Sequence, residues 1–151
     1  MNSFSGVVPA TITPFDSDGR FNEQSFRVIM ESNIRAGVDG FWVSGGTGES
    51  VLLTENEIIK TAEISAELCK GRAAAMVHIG SLTTDSSARM AKAAADAGAA
   101  AICCVPPFFY KPSEKAIIDH YRIVADAAGD LPFFVYNQPK YTGVEFDATM
   151  L

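Results

Sequence analysis

The chain has 151 residues, of which 48% are hydrophobic and 20% charged, so it is apolar enough to form one packed domain and too apolar to be disordered. A formal net charge of −6 and a pI near 4.8 argue against binding to nucleic acid or to an anionic membrane surface, because those partners carry the same sign. No apolar run reaches the roughly 18–20 residues of a membrane span, and the N-terminus lacks a basic signal region. We therefore expect a soluble cytoplasmic protein.

The cysteines are odd in number and show no metal-binding spacing. Cys69 stands alone, and Cys103 and Cys104 are adjacent within an apolar run. This pattern indicates neither a zinc site nor a disulfide framework. We expect reduced core cysteines, no metal site and no cofactor.

Short apolar runs alternate with longer amphipathic segments along the chain. The predicted strands are 6–13, 40–44, 74–79, 100–105 and 133–136. Asn22 is expected to cap a helix that runs to about residue 36, and Thr54 opens a second helix with the T-x-x-E form of a capping box. Further helices are predicted over 85–98 and 113–128, and a last one begins at 147.

The predicted strands are continuously apolar, which is typical of parallel strands buried on both faces. Internal sequence similarity supports repeated βα units. Residues 36–43 resemble residues 97–104, and the offset of 97 − 36 = 61 residues corresponds to two units of roughly 30. Units of that size suit either a (β/α)8 barrel or a doubly wound sheet.

The segment 45–49, Gly-Gly-Thr-Gly-Glu, follows the second predicted strand, and we call it the glycine turn. Its glycines are expected to take positive φ, so that the N–H groups of Gly46, Thr47 and Gly48 converge on one oxyanion. A carboxylate fits better than a phosphate, because no basic residue lies between Arg35 and Lys60. The alternative is that the turn only connects a strand to a helix.

Polar residues follow each predicted strand: Thr13, Thr47, His78, Tyr110, Lys111, Tyr136 and Asn137. In a barrel these residues would ring the C-terminal face, where barrel active sites lie, whereas an open sheet would spread them along an edge. The GxGxxG fingerprint of a dinucleotide-binding sheet is also missing after the first strand. The positions therefore favour a barrel, with a flavodoxin-like sheet as the weaker alternative.

Four ordered motifs carry a family resemblance: Thr13-Pro14-Phe15, Gly45-Gly46-Thr47-Gly48-Glu49, Pro107-Phe108-Phe109 and Val135-Tyr136-Asn137-Gln138-Pro139. In this order and spacing, they resemble the dihydrodipicolinate synthase / N-acetylneuraminate lyase family. The resemblance implies a Schiff-base pyruvate aldolase on an α/β (β/α)8 TIM barrel. Residues 1–151 would form the N-terminal part of this single domain, about the first four and a half βα units, with no internal boundary.

The resemblance also implies roles for particular residues. Gly46, Thr47 and Gly48 would hold the carboxylate of pyruvate or another 2-oxo acid, and Tyr136 would relay protons at the reacting carbon. Five residues would be possible substrate contacts: Thr13, Tyr110, Lys111, Asn137 and Tyr141. The family's Schiff-base lysine lies on the sixth strand, beyond this sequence, so this chain alone is expected to be inactive. A homo-oligomer is expected.

The chain departs from the family pattern at three positions. Gly46 stands where a first turn hydroxyl is usual, Phe109 where a relay tyrosine is usual, and Tyr141 where dihydrodipicolinate synthases carry an arginine. These departures argue against lysine biosynthesis and also weaken the case for sialic acid cleavage, whereas the Gly-Gly-Thr-Gly-Glu turn resembles relatives that break down or dehydrate 2-keto-3-deoxy sugar acids. The resemblance therefore implies cleavage or dehydration of a 2-keto-3-deoxy sugar acid, or aldol cleavage of a sialic-acid-like substrate. Dihydrodipicolinate synthase-type condensation is one alternative. Another, of a different class, is a non-catalytic 2-oxo-acid-binding half-barrel or assembly module. His78 is expected to be a hydrogen-bonded residue at the barrel end.

Overall fold

A computed structural model describes residues 4–147 and Met150. The strands are β1 Gly40–Val43, β2 Ala74–His78, β3 Ala101–Cys104 and β4 Phe133–Val135. The helices are α1 Glu23–Arg35, α2 Glu55–Cys69, α3 Thr84–Asp96, α4 Glu114–Ala128 and α5 Pro139–Thr142, and a short 3-10 turn covers Ser50–Leu52.

The long helices begin where side chains cap them. The side chain of Asn22 accepts a hydrogen bond from the N–H of Ser25 at 2.9 Å, and Thr54 and Glu57 form the predicted capping box. Thr83 caps α3. Because these bonds satisfy N–H groups that have no partner inside the helix, local sequence determines where each helix begins. The predicted starts of the four long helices α1 to α4 are confirmed to within one residue.

The four strands form one parallel sheet in the order β1-β2-β3-β4. A strand order that follows the sequence, joined by right-handed crossovers, places every connecting helix on the same face of the sheet. A doubly wound sheet would instead reverse its order and carry helices on both faces. The observed order therefore indicates a barrel segment.

The main core lies between the sheet and these helices. Alternate strand residues face the helices, and they are fully or almost fully buried: Phe41, Val43, Ala75, Val77, Ile102 and Cys104. They pack against helix residues such as Phe26, Met30, Ile64, Met90 and Val124. On the opposite face, Met76, Ala101 and Cys103 form a smaller cluster with Trp42. This second face is the one that would line the inside of a barrel.

The first predicted strand, residues 6–13, is not a regular strand, and that prediction is wrong. The segment runs beside β1 and forms a single parallel bridge between Ala10 and Trp42. The N–H of Trp42 donates to the carbonyl of Pro9 at 2.9 Å, and the N–H of Thr11 donates to the carbonyl of Trp42 at 3.0 Å. Pro9 has no N–H to donate, and Gly6 has a φ of 92°, so a continuous ladder does not form.

Two further differences concern the C-terminal part. The sequence reasoning did not predict α5, a four-residue helix with Pro139 at its first position. The helix predicted to begin at residue 147 falls largely on residues outside the described part of the chain.

The three cysteines are free and buried, as predicted. Burial raises the pKa of Cys69 to about 11 and that of Cys104 to about 12, so these thiols stay protonated at neutral pH. Within residues 4–147 and Met150, no helix is long and apolar enough to cross a membrane.

Candidate active site

The glycine turn follows β1, and its backbone differs from the prediction. Positive φ values occur at Ser44 (53°), just before the turn, and at Glu49 (56°), its last residue, whereas Gly45, Gly46 and Gly48 are not left-handed. The prediction that the glycines take positive φ is therefore wrong. Gly45 and Gly48 are required instead because a side chain at either position would clash with neighbouring atoms.

A Cβ at Gly45 would collide with the ring of Trp42, and a Cβ at Gly48 would lie 3.0 Å from the Cα of Ser44. Gly46 is different, because an added Cβ there meets no atom of the chain within 4 Å. The position is exposed and lines the cleft described below. A side chain at Gly46 would therefore extend into that cleft.

Three buried hydroxyl groups, those of Ser44, Thr61 and Thr13, hold the turn in place. The Oγ of Ser44 lies 2.7 Å from the Oγ1 of Thr61 on α2, which in turn donates to the carbonyl of Ile58 at 2.8 Å. On the other side, the Oγ1 of Thr13 donates to the carbonyl of Gly48 at 2.7 Å. A left-handed non-glycine residue costs about 1–3 kcal/mol and persists where its surroundings fix it. The Ser44–Thr61 contact supplies such surroundings.

The N–H groups of the turn divide into paired and unpaired sets. Glu49 donates to the carbonyl of Gly46 at 3.1 Å, and Ser50 donates to the carbonyl of Gly45 at 3.2 Å. By contrast, the N–H groups of Gly46, Thr47 and Gly48 have no acceptor within the described residues. Gly46 and Thr47 are exposed, whereas Gly48 is buried, so two of these backbone donors are open to an anion.

A cleft of about 980 Å³ opens on the inner face of the sheet, beside the turn. Gly46, Thr47, His78, Tyr136 and Tyr141 all line it, so the structure brings these predicted residues together. Sequence reasoning missed other lining residues, among them Trp42, Val105 and Gln138. None of the lining residues is Lys or Arg, so an anion in this cleft would depend on backbone and hydroxyl donors.

Tyr136 directly follows β4 and is partly buried. Its N–H donates to the carbonyl of Cys104 at 2.8 Å, and its ring stands edge-on to the ring of Trp42 at a centroid distance of 5.0 Å. These contacts fix the position of the ring. The phenol hydroxyl makes no hydrogen bond with any described residue, so it is free to bond a ligand.

His78 ends β2 on the inner face, and only 3% of its surface is exposed. Both ring nitrogens are shielded from solvent, and neither meets strict hydrogen-bond geometry with a described residue, whereas the backbone of Ser44 acts on the ring as a hydrogen-bond acceptor. The ring stands edge-on to that of Tyr136. The hydrogen bond expected for His78 therefore stays a prediction. Burial lowers the pKa of His78 to about 4, although the Ser44 backbone favours the protonated ring.

The other predicted contacts lie away from the cleft lining. Thr13 is buried beneath the turn. The side chain of Asn137 pairs with the backbone of Phe146, at 3.0 Å to its carbonyl and 3.1 Å to its N–H. Tyr110 and Lys111 are exposed on the loop after β3. Within residues 4–147 and Met150, no group of three or more His, Cys, Asp or Glu is placed to hold a metal ion.

Comparison with known proteins agrees with this architecture. Residues 3–150 match the Dihydrodipicolinate synthetase family. The chain is 39% identical over 140 residues to an N-acetylneuraminate lyase of Citrobacter koseri, covering 93% of this chain and 47% of that protein. Two solved structures are also similar.

One of them is CdNal from Clostridium difficile in complex with mannosamine, with a TM-score of 0.92, 30% identity and coverage of 99% of this chain and 51% of that one. The other is a prophage protein of the dihydrodipicolinic acid synthase family from E. coli K12 in complex with pyruvate, with a TM-score of 0.90, 28% identity and coverage of 97% and 49%.

The fold defines a segment of a (β/α)8 barrel, with the glycine turn and the cleft at the C-terminal ends of its strands. The chain belongs to the Dihydrodipicolinate synthetase family. It spans about half the length of the curated relatives it matches. The predicted barrel fold and family are confirmed.

Proposed function

We propose that this chain forms the carboxylate-binding and proton-transferring part of a Schiff-base pyruvate aldolase or lyase. The observation that carries the proposal is the set of unpaired N–H groups at Gly46, Thr47 and Gly48, of which Gly46 and Thr47 line a cleft that also holds the free phenol of Tyr136. The substrate class is a 2-oxo acid, either a 2-keto-3-deoxy sugar acid or a sialic-acid-like compound that undergoes aldol cleavage or dehydration. The similarity to N-acetylneuraminate lyases supports this choice.

In this proposal the substrate carboxylate accepts hydrogen bonds from the free N–H groups and from the hydroxyl of Thr47. Such charge-assisted bonds are about twice as strong as neutral ones, and they replace the missing basic residue. The carboxylate would place the adjacent carbon within the cleft, where Tyr136 gives or takes a proton at the reacting centre. Trp42 holds the Tyr136 ring in place for this step.

The amine that forms the Schiff base is proposed to lie on a sixth strand, beyond Leu151. Imine formation needs an unprotonated amine, which a lysine provides when it is desolvated or lies beside another cation. No lysine of this chain lines the cleft. Lys60, Lys92 and Lys115 instead pair with carboxylates on the outer helices. Residues 1–151 would thus be the N-terminal part of one domain of a cytoplasmic homo-oligomer.

A second candidate is a non-catalytic module that binds 2-oxo acids, and the absence of a lysine from the cleft lining favours it. Dihydrodipicolinate synthase-type condensation is a third. Tyr141 lines the cleft where those enzymes carry an arginine, and a neutral phenol binds a second carboxylate less well than an arginine does.

Pyruvate binding to the 151-residue chain tests the proposed site by calorimetry. Thr47→Ala should weaken binding by about 1–2 kcal/mol, because it removes one hydrogen bond to a charged group. Ser32→Ala is the matched control, since it removes an exposed hydroxyl on α1 that does not line the cleft. Equal affinities in both variants and the wild type would exclude the Thr47 hydroxyl as a carboxylate contact.

A further inference from the structure

Trp42 lines the cleft with a hydrogen-bond donor that the described residues leave unused. Its indole N–H bonds none of them, and the nitrogen, unlike the ring nitrogens of His78, is not sealed from solvent. The residue is partly exposed on the inner face of the sheet. An indole nitrogen donates and does not accept, so the partner that it can bind is an acceptor.

The N–H edge of the indole lies beside the glycine turn. The nearest atom to a Cβ added at Gly45 is the Nε1 of Trp42, and the next nearest is Cδ1, the carbon bonded to it. Gly45 directly precedes Gly46 and Thr47, whose backbone N–H groups are unpaired and open to an anion. The indole donor therefore lies close to these two backbone donors, on the same cleft.

Trp42 is held in this position before any ligand binds. Its N–H donates to the carbonyl of Pro9 at 2.9 Å, and its carbonyl accepts from the N–H of Thr11 at 3.0 Å. The ring of Tyr136 stands edge-on to the indole, with centroids 5.0 Å apart. A donor that is already fixed loses little side-chain entropy when it binds a ligand, so more of its hydrogen-bond energy contributes to affinity.

We propose that Trp42 is a substrate-contacting residue, and that its indole N–H donates a hydrogen bond to the carboxylate of the bound 2-oxo acid. A carboxylate has two oxygens with about four acceptor sites, so it can accept this bond together with those from Gly46 and Thr47. None of the residues that line the cleft is Lys or Arg, so neutral donors must stabilise the charge. This inference rests on the proposed function and deepens it by assigning a side-chain donor beside the turn.

The indole signal in a proton–nitrogen NMR spectrum tests the contact directly, because the chain has one tryptophan. Pyruvate and propionate carry a carboxylate, whereas acetone carries the oxo group without it. Pyruvate and propionate should each move the indole proton downfield and saturably, because a hydrogen bond to an anion deshields the proton. Acetone should leave the signal in place. A shift with acetone but not with propionate would assign the indole to the oxo oxygen and overturn the inference.

An isosteric replacement of the same side chain measures the contribution to affinity. Benzothienylalanine, supplied in place of tryptophan, exchanges the N–H for sulfur, keeps the fused rings and changes no other residue, because the chain has a single tryptophan. Affinities for pyruvate and propionate should both fall by about five- to thirtyfold, the effect of one hydrogen bond to a charged group. Trp42→Phe, which also removes the N–H, should weaken both ligands at least as much.

The Tm of the chain with benzothienylalanine distinguishes binding from a structural role. Since the indole N–H has no partner among the described residues, its removal should leave the Tm equal to that of the wild type. A lower Tm with unchanged affinities for both ligands would show that the N–H serves the fold, and it would overturn the inference.

The outcomes separate the inference from the proposed function. Pyruvate binding that depends on Thr47 but leaves the indole signal and the affinity of the benzothienylalanine chain unchanged would overturn the inference alone. Failure of the wild-type chain to bind pyruvate would overturn both.

Discussion

Two glycines of the same turn should respond in opposite ways to the same substitution. Gly48→Ala places a methyl group 3.0 Å from the Cα of Ser44 and 3.2 Å from the carbonyl oxygen of Thr11. Both neighbours are backbone atoms, and Ser44 is additionally held by Thr61. Overpacking of this kind costs about 1–3 kcal/mol. At Gly46 the same methyl group meets no atom of the chain within 4 Å.

At both glycines, a smaller effect on the unfolded chain stabilises the alanine variant. Replacing glycine by alanine lowers the entropy of the unfolded chain and stabilises a compatible site by about 0.4–1 kcal/mol. Gly46→Ala should therefore leave the free energy of unfolding unchanged or raise it by up to about 1 kcal/mol. Gly48→Ala should lower it by about 0.5–2 kcal/mol. Urea unfolding followed by circular dichroism measures both values under the same conditions.

Gly46→Val extends the test to binding. The larger side chain enters the cleft, so pyruvate binding should be lost while the midpoint of unfolding changes little. Equal destabilisation of Gly46→Ala and Gly48→Ala would refute the spatial argument. Unchanged pyruvate affinity in Gly46→Val would show that the turn does not face the ligand.

The remaining predictions concern chemistry, pH and assembly. Pyruvate and borohydride should leave the mass of the 151-residue chain unchanged, because no lysine lines the cleft; an adduct on Lys111 or Lys140 would contradict this. The free energy of unfolding should fall as the pH drops from 6.5 toward 4. His78 and His120 have a pKa of about 4 in the folded chain and stay neutral over this range, whereas in the unfolded chain they bind protons. His78→Phe should flatten this slope above about pH 5.5, where carboxylates such as Glu57, whose ordinary pKa is 4.5, are still mostly ionised in the unfolded chain. An identical slope would contradict the buried state of His78. The chain should also self-associate in sedimentation at micromolar concentration, because Val7, Ile12 and Phe134 are exposed beside unpaired strand edges, whereas a clean monomer that binds no hydrophobic dye would argue against it.

Local sequence was sufficient to predict most of the elements. Asn22 and Thr54 cap helices through bonds to residues only three positions away, so their pattern can be recognised without a fold. The apolar strand runs indicated a parallel sheet because burial on both faces leaves no polar alternation. The position of the glycine turn directly after a strand likewise followed from the residue order.

Contacts between distant residues decided the details of the site. Left-handed φ values fell on Ser44 and Glu49 rather than on the glycines, and Ser44 is held by Thr61, 17 positions along the chain. The polar residues also separated into groups that their spacing does not reveal. Asn137 pairs with the Phe146 backbone, and His78 is buried beside the Ser44 backbone, whereas the hydroxyl of Tyr136 bonds no described residue. The sequence by itself determined which residues follow the strands, because that depends on local propensity and order. Only the tertiary structure decided which of them are satisfied by the protein and which remain available to a ligand, because that depends on packing across the sheet.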